Sequence, residues 1–393
     1  MTEAARSSPA GGVVGSAAGG AAERAGAVAA AERPFRLARL ALAIVAPVIV
    51  YASLRPFHGW RDPGTGLFAF LLTTDGLGSS FDAVLNVVGY LVWSVCLVLA
   101  LYPRLRGRAA LVAGIVLPAL CSLSVEAAQA YLPGRVASAA DVGTNSLGAL
   151  LGAWLAVRLT PWLTDHRGGR ALRERWLVPG HRTELGLLLL AAWFVGVFAQ
   201  RTWLFGTGDF RGNLQVAVDP GVPAWLLATA EAFVVGANLL AACLVLRLVL
   251  ADGAGRRRWF LLLATAALAM RVIAQLAFWP PKALWAWITP GALLGVLAGL
   301  AAASALRGLS RSGTARAVIV LAVVAVLAVN LAPADPAVWL QRGSPRESTL
   351  IGLVLVSRYA SKAWPLLAVA WCAWTLWASR ARSGAAAAAE RRR

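Results

Sequence analysis

The sequence predicts an all-α, polytopic transmembrane helical bundle of about ten spans with both termini cytoplasmic. Three observations predict it. Apolar residues make up 59% of the 393 positions and charged residues only 14%, with positive mean hydropathy, far more apolar side chain than a soluble core could use. Apolar runs of about 17 to 25 residues, each enough to cross roughly 30 Å of hydrocarbon, recur along nearly the whole chain. Arginine-rich connections alternate with arginine-poor ones, as the positive-inside rule expects.

In chain order, residues 1–33 are mostly Ala, Gly, Ser and Arg, with too little apolar surface to offset the entropy of ordering, and read as a disordered cytoplasmic tail. The first span, 37–54, carries Val50-Tyr51-Ala52-Ser53, which imitates a signal-peptidase site. Its length and the long tail before it favour a retained helix. Spans follow at 83–102, 109–132 and 142–159, so that residues 34–160 form a four-helix membrane module. A basic cytoplasmic loop, 161–184, leads to a second membrane helical region, 185–380, with spans at 185–204, 223–250, 259–279, 287–306, 316–333 and 363–379. Residues 381–393 form a basic cytoplasmic tail. Before the last span, a Pro-Ala-Asp-Pro turn precedes a short apolar piece, Leu350 to Val356, too short to cross and read as interfacial.

The net charge of +19 sits on alternate connections, from Arg36 and Arg39 through Arg104, Arg106 and Arg108 to Arg256, Arg257 and Arg258. That placement orients helices in a bilayer and argues for membrane lipids, not nucleic acid, as the partner of the positive charge. Cys96, Cys121, Cys243 and Cys372 all fall within spans, and the three histidines lack ligand spacing, so neither a disulfide framework, a metal site nor another cofactor is expected.

Polar groups concentrate on three helical stripes in the first module: Asp82-Asn86-Gly89-Tyr90, Ser122-Glu126-Gln129 and Asp141-Asn145-Gly148-Gly152. Steps of three, four and seven residues put each set on one face, with Leu, Val and Ala covering the rest. Carboxylates inside membrane helices are costly unless partnered, which predicts one shared polar site. The orientation places it on the side away from the cytoplasm, with Glu126 about 9 Å and Ser122 about 15 Å below the outer end of the third span. Arg55 and Arg135 are the expected counter-charges. Asp82 and Asp141 can equally serve as caps at helix N-termini, and Asn86 and Asn145 as ordinary interhelical hydrogen bonders. Glu126 has no terminus to cap, so a functional or pairing role is expected of it. Gly148 and Gly152 read as a close-approach seam. A Ser-His-Asp arrangement built on Ser122 or Ser124, His58 and Asp82 lacks any nucleophile-elbow motif and is set aside.

The second region carries fewer such groups. Glu231 and Asn238, seven residues apart, read as a helix-pairing device, and Arg271, Gln275, Gly291, Gly295 and Gly299 echo Gln129, Gly148 and Gly152 at similar spacing. That echo is either a degenerate duplication or a generic packing seam.

Arg55-Pro56-Phe57, Phe81-Asp82, Leu85-Asn86-Val87-Val88-Gly89-Tyr90, the run from Ser122 through Glu126 to Gln129, Gly134-Arg135 with Ser138, and the run from Asp141 through Asn145 and Gly148 to Gly152 together resemble the VanZ-like membrane family over about residues 37–157. The family is named for a protein associated with resistance to teicoplanin, a lipoglycopeptide that binds the cell wall precursor outside the membrane. The resemblance implies a bacterial envelope protein with an outward polar site in which Glu126, Gln129, Arg135, Asp141 and Asn145 match the motif. One departure lies in the second span, where a Pro-Phe-Gly pattern is common and this chain has Val88-Gly89-Tyr90, so Tyr90 is not carried over.

The resulting expectation is a multi-pass protein of the bacterial cytoplasmic (inner) membrane that binds or modifies an amphipathic envelope molecule, such as a lipid-linked precursor or a lipoglycopeptide, with a role related to glycopeptide resistance in view. Glu126 would supply acid, base or anchor chemistry. Arg55, Asp82, Asn86, Ser122, Gln129, Arg135, Asp141 and Asn145 would bind the substrate. The alternatives are a secondary transporter coupled through Glu126 and a membrane scaffold whose polar cluster only sets helix packing.

Overall fold

The computed structural model describes residues 35–72, 80–165, 167–199, 202–211, 221–252, 255–332 and 351–390, so the expected N-terminal tail and most of the stretch before the last helix lie outside the described residues. The first module comprises α1 (Arg36–Leu54), α2 (Ser80–Leu101), α3 (Gly107–Gln129) and α4 (Ala139–Thr164). A short α5 (Gly169–Trp176) follows, then α6 (His181–Gly196), α7 (Ala224–Val249), α8 (Arg256–Phe278), α9 (Pro290–Ala305), α10 (Arg311–Leu331) and α11 (Ile351–Glu390). Among the described residues no strand forms beyond an isolated bridge between Leu177 and Leu250. The chain is an all-α polytopic membrane bundle.

Helix starts follow local chemistry. The Ser138 hydroxyl accepts the Ala140 N–H at 3.2 Å to open α4, and Thr289 and Ser310 cap α9 and α10 through Ala292 N–H and Gly313 N–H. Pro290 stands at the first position of α9, where no amide hydrogen is needed.

Among the described residues eight helices, α1 to α4 and α7 to α10, are long and apolar enough to cross a membrane. At 16 residues, about 24 Å, α6 ends at Gly196, and the described residues 202–208 beyond it are irregular and buried. From Ile351 the apolar piece before the last span forms the first turns of a 40-residue α11, about 60 Å long, which Pro365 does not end. The loop expected at 161–184 is likewise partly helical, with α5 braced by an Arg170–Glu174 pair at 2.9 Å.

Packing sorts side chains by size. On α4, Gly148, Ala149, Gly152 and Ala153 face inward, while Leu147, Leu150, Leu151 and Trp154 are exposed. On α9, Gly291, Ala292, Gly295 and Gly299 are buried, with Leu293, Leu294 and Leu297 exposed. Leucine gains nothing by leaving hydrocarbon, whereas small residues let backbones approach and gain dispersion contact. A Cβ on Gly148 would overlap the Val87 carbonyl, and one on Gly152 the Leu91 carbonyl, so α4 lies directly on α2. In the second region α7 is the hub, with α6, α9 and α10 packed around it and 83% of its apolar window buried. The regions meet where α1 contacts α6 and α11. At the arginine-rich end of that contact, Arg36 hydrogen-bonds the His181 ring at 2.5 Å and lies 3.7 Å from Glu184.

Candidate functional site

The ends of α2, α3 and α4 opposite the arginine-rich face bring the three polar stripes together. Deepest is a relay between two helices: the Asn145 amide on α4 donates to Ser122 Oγ on α3 at 2.9 Å, with Tyr90 of α2 beside Ser122. Ser122 is fully buried, Tyr90 and Asn145 nearly so, and Asn145 Oδ1 is sealed without a partner. Tyr90 stacks beside Trp93 with ring centroids 5.3 Å apart.

Nearer the outer end, Asn86 Nδ2 on α2 donates to Asp141 Oδ1 on α4 at 2.9 Å and approaches Thr144 Oγ1 at 3.4 Å. Thr144 Oγ1 in turn donates to the Asp141 carbonyl at 3.1 Å. Asp141 and Asp82 each lie in the first turn of a helix, where the macrodipole favours a carboxylate. Glu126, one turn beyond Ser122 on α3, accepts the Ser138 N–H through Oε2 at 3.0 Å. The carboxylate thereby holds the residue that caps α4. Among the described residues nothing donates to Glu126 Oε1, and that atom is not sealed from solvent.

The guanidinium pairing expected from the sequence does not form. Arg135 spends Nε on the Arg55 carbonyl at 3.1 Å and Nη2 on the Ala52 carbonyl at 2.9 Å, at the end of α1. Gln129 Nε2 reaches the Ser53 carbonyl at 2.9 Å beside them. The last carbonyls of a helix have no partners within it, and they are the nearest acceptors to these donors. Arg135 is close enough to Glu126 to feel its charge: burial lowers the guanidinium pKa and Glu126 opposes that shift. Arg55 makes no side-chain ion pair among the described residues.

The structure thus joins Ser122, Asn145, Asn86, Asp141 and Glu126 through hydrogen bonds across α2, α3 and α4, with Asp82 within electrostatic range of Asp141. It sets Gln129, Arg135 and Arg55 on the α1 side. Sequence reasoning did not name Thr144 and assigned no site role to Tyr90 or Ser138. Tyr90 was on the stripe, four residues beyond Asn86, and Thr144 stood beside Asn145. The Ser138 role needed the fold, because a backbone N–H has no signature in sequence. Ser124 bonds its own helix at Leu120, and His58 is exposed, so these residues assemble no nucleophile–base pair. Among the described residues no three or more His, Cys, Asp or Glu side chains cluster as a metal would require.

An open apolar cleft of about 350 Å³ is lined by Leu67, Phe68, Leu120, Leu123, Ala127 and Tyr131, on a face of α3 turned away from Glu126.

Neither a curated protein nor a solved structure matches the chain. Residues 33–160, about a third of the sequence, match the family VanZ/LLP1. Those residues span α1 to all but the end of α4 and contain every motif residue above, so the chain is an integral membrane protein whose first module is VanZ-like.

Proposed function

We propose that the VanZ-like module binds or modifies an amphipathic molecule of the bacterial envelope on the outer side of the cytoplasmic membrane, a lipid-linked precursor or a lipoglycopeptide being the chemistry that fits. One observation carries the reading: Glu126 Oε1 receives no hydrogen bond among the described residues, and Ala127, the next residue of α3, lines an apolar cleft. A hydrocarbon tail suits the cleft, and a hydroxyl, amide or sugar head suits the acceptors Glu126 and Asp141. Arg55, at the rim and without an ion-pair partner among the described residues, is the cation available for an anionic head. Arg135 acts as a positioning residue that ties α1 to the α3–α4 connection. The basic ends of the helices, by the positive-inside rule, orient this site away from the cytoplasm. A role in glycopeptide resistance follows only if the bound molecule is the drug or its target.

The test is photo-crosslinking in membranes with a diazirine-tailed, lipid-linked sugar pyrophosphate. Label should concentrate on Leu120, Leu123 and Ala127, and Glu126→Gln should reduce it several-fold at equal membrane insertion. Equal labelling in Glu126→Gln, or label spread evenly over lipid-facing residues, defeats the reading. Proton-driven solute uptake in proteoliposomes that disappears in the same variant would establish the transporter alternative instead.

A further inference from the structure

The second region grips the outer end of the VanZ-like module on two helices. On α2, Phe81 and Leu85 pack in one cluster with the buried Ala277 and Phe278 of α8 and the buried Val354 of α11. Phe81 and Leu85 each stand one residue before a polar group of the site, Asp82 and Asn86. On α1, a Cβ built on Gly352 of α11 would come to 3.2 Å from Ala52 Cβ and 3.5 Å from the Ala52 carbonyl oxygen. The first distance is tighter than ordinary van der Waals contact, so α11 lies against the last turn of α1 with no room for a larger side chain between them. Gly352 sits in a helix, where its backbone does not call for glycine; the close approach does.

The same turn of α1 is what the donors of the VanZ-like module hold. Arg135 Nη2 donates to the Ala52 carbonyl at 2.9 Å and its Nε to the Arg55 carbonyl at 3.1 Å, while Gln129 Nε2 donates to the Ser53 carbonyl at 2.9 Å. The Ala52 carbonyl is therefore shared between two neighbours: the guanidinium of Arg135 bonds it, and the backbone of α11 at Gly352 packs beside it. Arg55, the residue that ends α1, follows directly in the chain. Packed protein is stiff and passes strain on, so a displacement of Ala52 carries Ser53 and Arg55 with it and disturbs all three hydrogen bonds together.

We infer that α8 and α11 form the back wall of the VanZ-like site and that Gly352 is a positioning residue within it: by seating the last turn of α1, it sets where the Arg55 guanidinium stands toward an anionic head group. This rests on the proposed reading of Arg55 as the cation for that head. The second region thereby takes part in head-group selection without touching the ligand. A side chain larger than methyl at position 352 drives the turn away from α11, and the cation moves with it. Recognition of a phosphate by a guanidinium depends on the geometry of its donors, so the displacement weakens anionic heads and spares neutral ones.

The experiment compares two diazirine-tailed probes in membranes that hold the full chain: the lipid-linked sugar pyrophosphate, and the same tail ending in a neutral sugar. At equal membrane insertion, Gly352→Val should lower labelling by the pyrophosphate probe several-fold and leave labelling by the neutral probe unchanged, as Arg55→Gln should. Equal loss of both probes, or no loss of either, overturns the positioning role. A measurement without ligand separates this from the proposed function. In thermal unfolding of the purified chain in detergent, Gly352→Val and Arg135→Met should be non-additive, because both act on the Ala52 carbonyl, whereas Gly352→Val and Asn145→Ala should add. Additivity with Arg135→Met overturns the inference whether or not a probe binds. Non-additivity in a chain that labels with neither probe supports the seating of α1 and defeats only the function proposed above. Should Gly352→Val not insert, Gly352→Ala carries both measurements, with smaller changes of the same sign deciding in the same way.

Discussion

Two glycine-seamed helix pairs, α2 with α4 and α7 with α9, organise the two regions, and the charges buried near them differ: a carboxylate, Glu126, in the first, and both a carboxylate, Glu231, and the Arg211, Arg247 and Arg271 guanidiniums in the second. In the first, Gly148 and Gly152 press against the Val87 and Leu91 carbonyls, and the helix ends enclose Glu126 and Asp141. In the second, Gly291 and Gly295 sit over the Ala228 and Ala232 carbonyls, close to where a built Cβ would approach them to 2.7 and 2.6 Å, and the neighbouring α8 buries Arg271. Glu126, Asp141 and Arg271 form no direct ion pair among the described residues, whereas Asp209 and Arg211 pair at 2.7 Å. Glu126 takes a backbone N–H, Asp141 an amide, and Arg271 two carbonyls. Neutral dipoles stabilise a buried ion without a second desolvated charge, and in hydrocarbon that second cost is what makes an ion pair a poor bargain. The difference lies in what remains unmatched: an acceptor, Glu126 Oε1, in the first region and two donors, Arg271 Nε and Trp193 Nε1, in the second.

That comparison can be broken at the seams first. Gly148→Leu forces a side chain into the α2 backbone and should cost about 3 kcal/mol, enough to remove most folded protein from membranes. Gly295→Leu should do the same to α9 on α7. Fluorescence-detected size exclusion after equal expression reads both, and a normal monodisperse peak for either variant would deny that seam its role.

A smaller effect separates the carboxylate's structural duty from its chemistry. Glu126→Ala leaves the Ser138 N–H unpaired and should destabilise by about 1–3 kcal/mol, whereas Glu126→Gln keeps an acceptor and should lose well under half of that. Thermal midpoints that fall equally in the two variants would contradict a hydrogen bond between Glu126 and Ser138. Smaller again, a double-mutant cycle of Ser122→Ala and Asn145→Ala should show coupling of about 0.6 kcal/mol and no more than about 1.7. Additive effects would mean the relay is not formed. At the low end, Asn86→Ala should cost about 0.5 kcal/mol in the same assay, because Asp141 at its helix N-terminus keeps the dipole's support.

Much of the first module was legible because membrane helices must satisfy their own backbone, which makes length, hydropathy and helical spacing nearly sufficient to place them. The stripes at Asp82–Asn86, Ser122–Glu126 and Asp141–Asn145 do face one another. The end of α6 at Gly196 was not legible, since the apolar run continues through Val197, Phe198 and Ala199 and nothing in the pattern marks the stop. Nor was α11, where the sequence of Ser357, Arg358 and Lys362 reads as loop and packing against α6 and α10 holds it helical. The arginines misled for a related reason: Arg55 and Arg135 were matched to carboxylates by charge, whereas in space Arg135 lies against the open carbonyls of α1.

The amino-acid sequence alone determined that this chain lives in a bilayer, which side its arginines favour, and which faces of α2, α3 and α4 are polar, because each follows from composition or from the period of a single helix. Only the tertiary structure decided which donor meets which acceptor and where an unmatched one remains. Hydrogen bonds act over about 3 Å between groups that sequence separates by dozens of residues, so partners are chosen by packing and not by pattern.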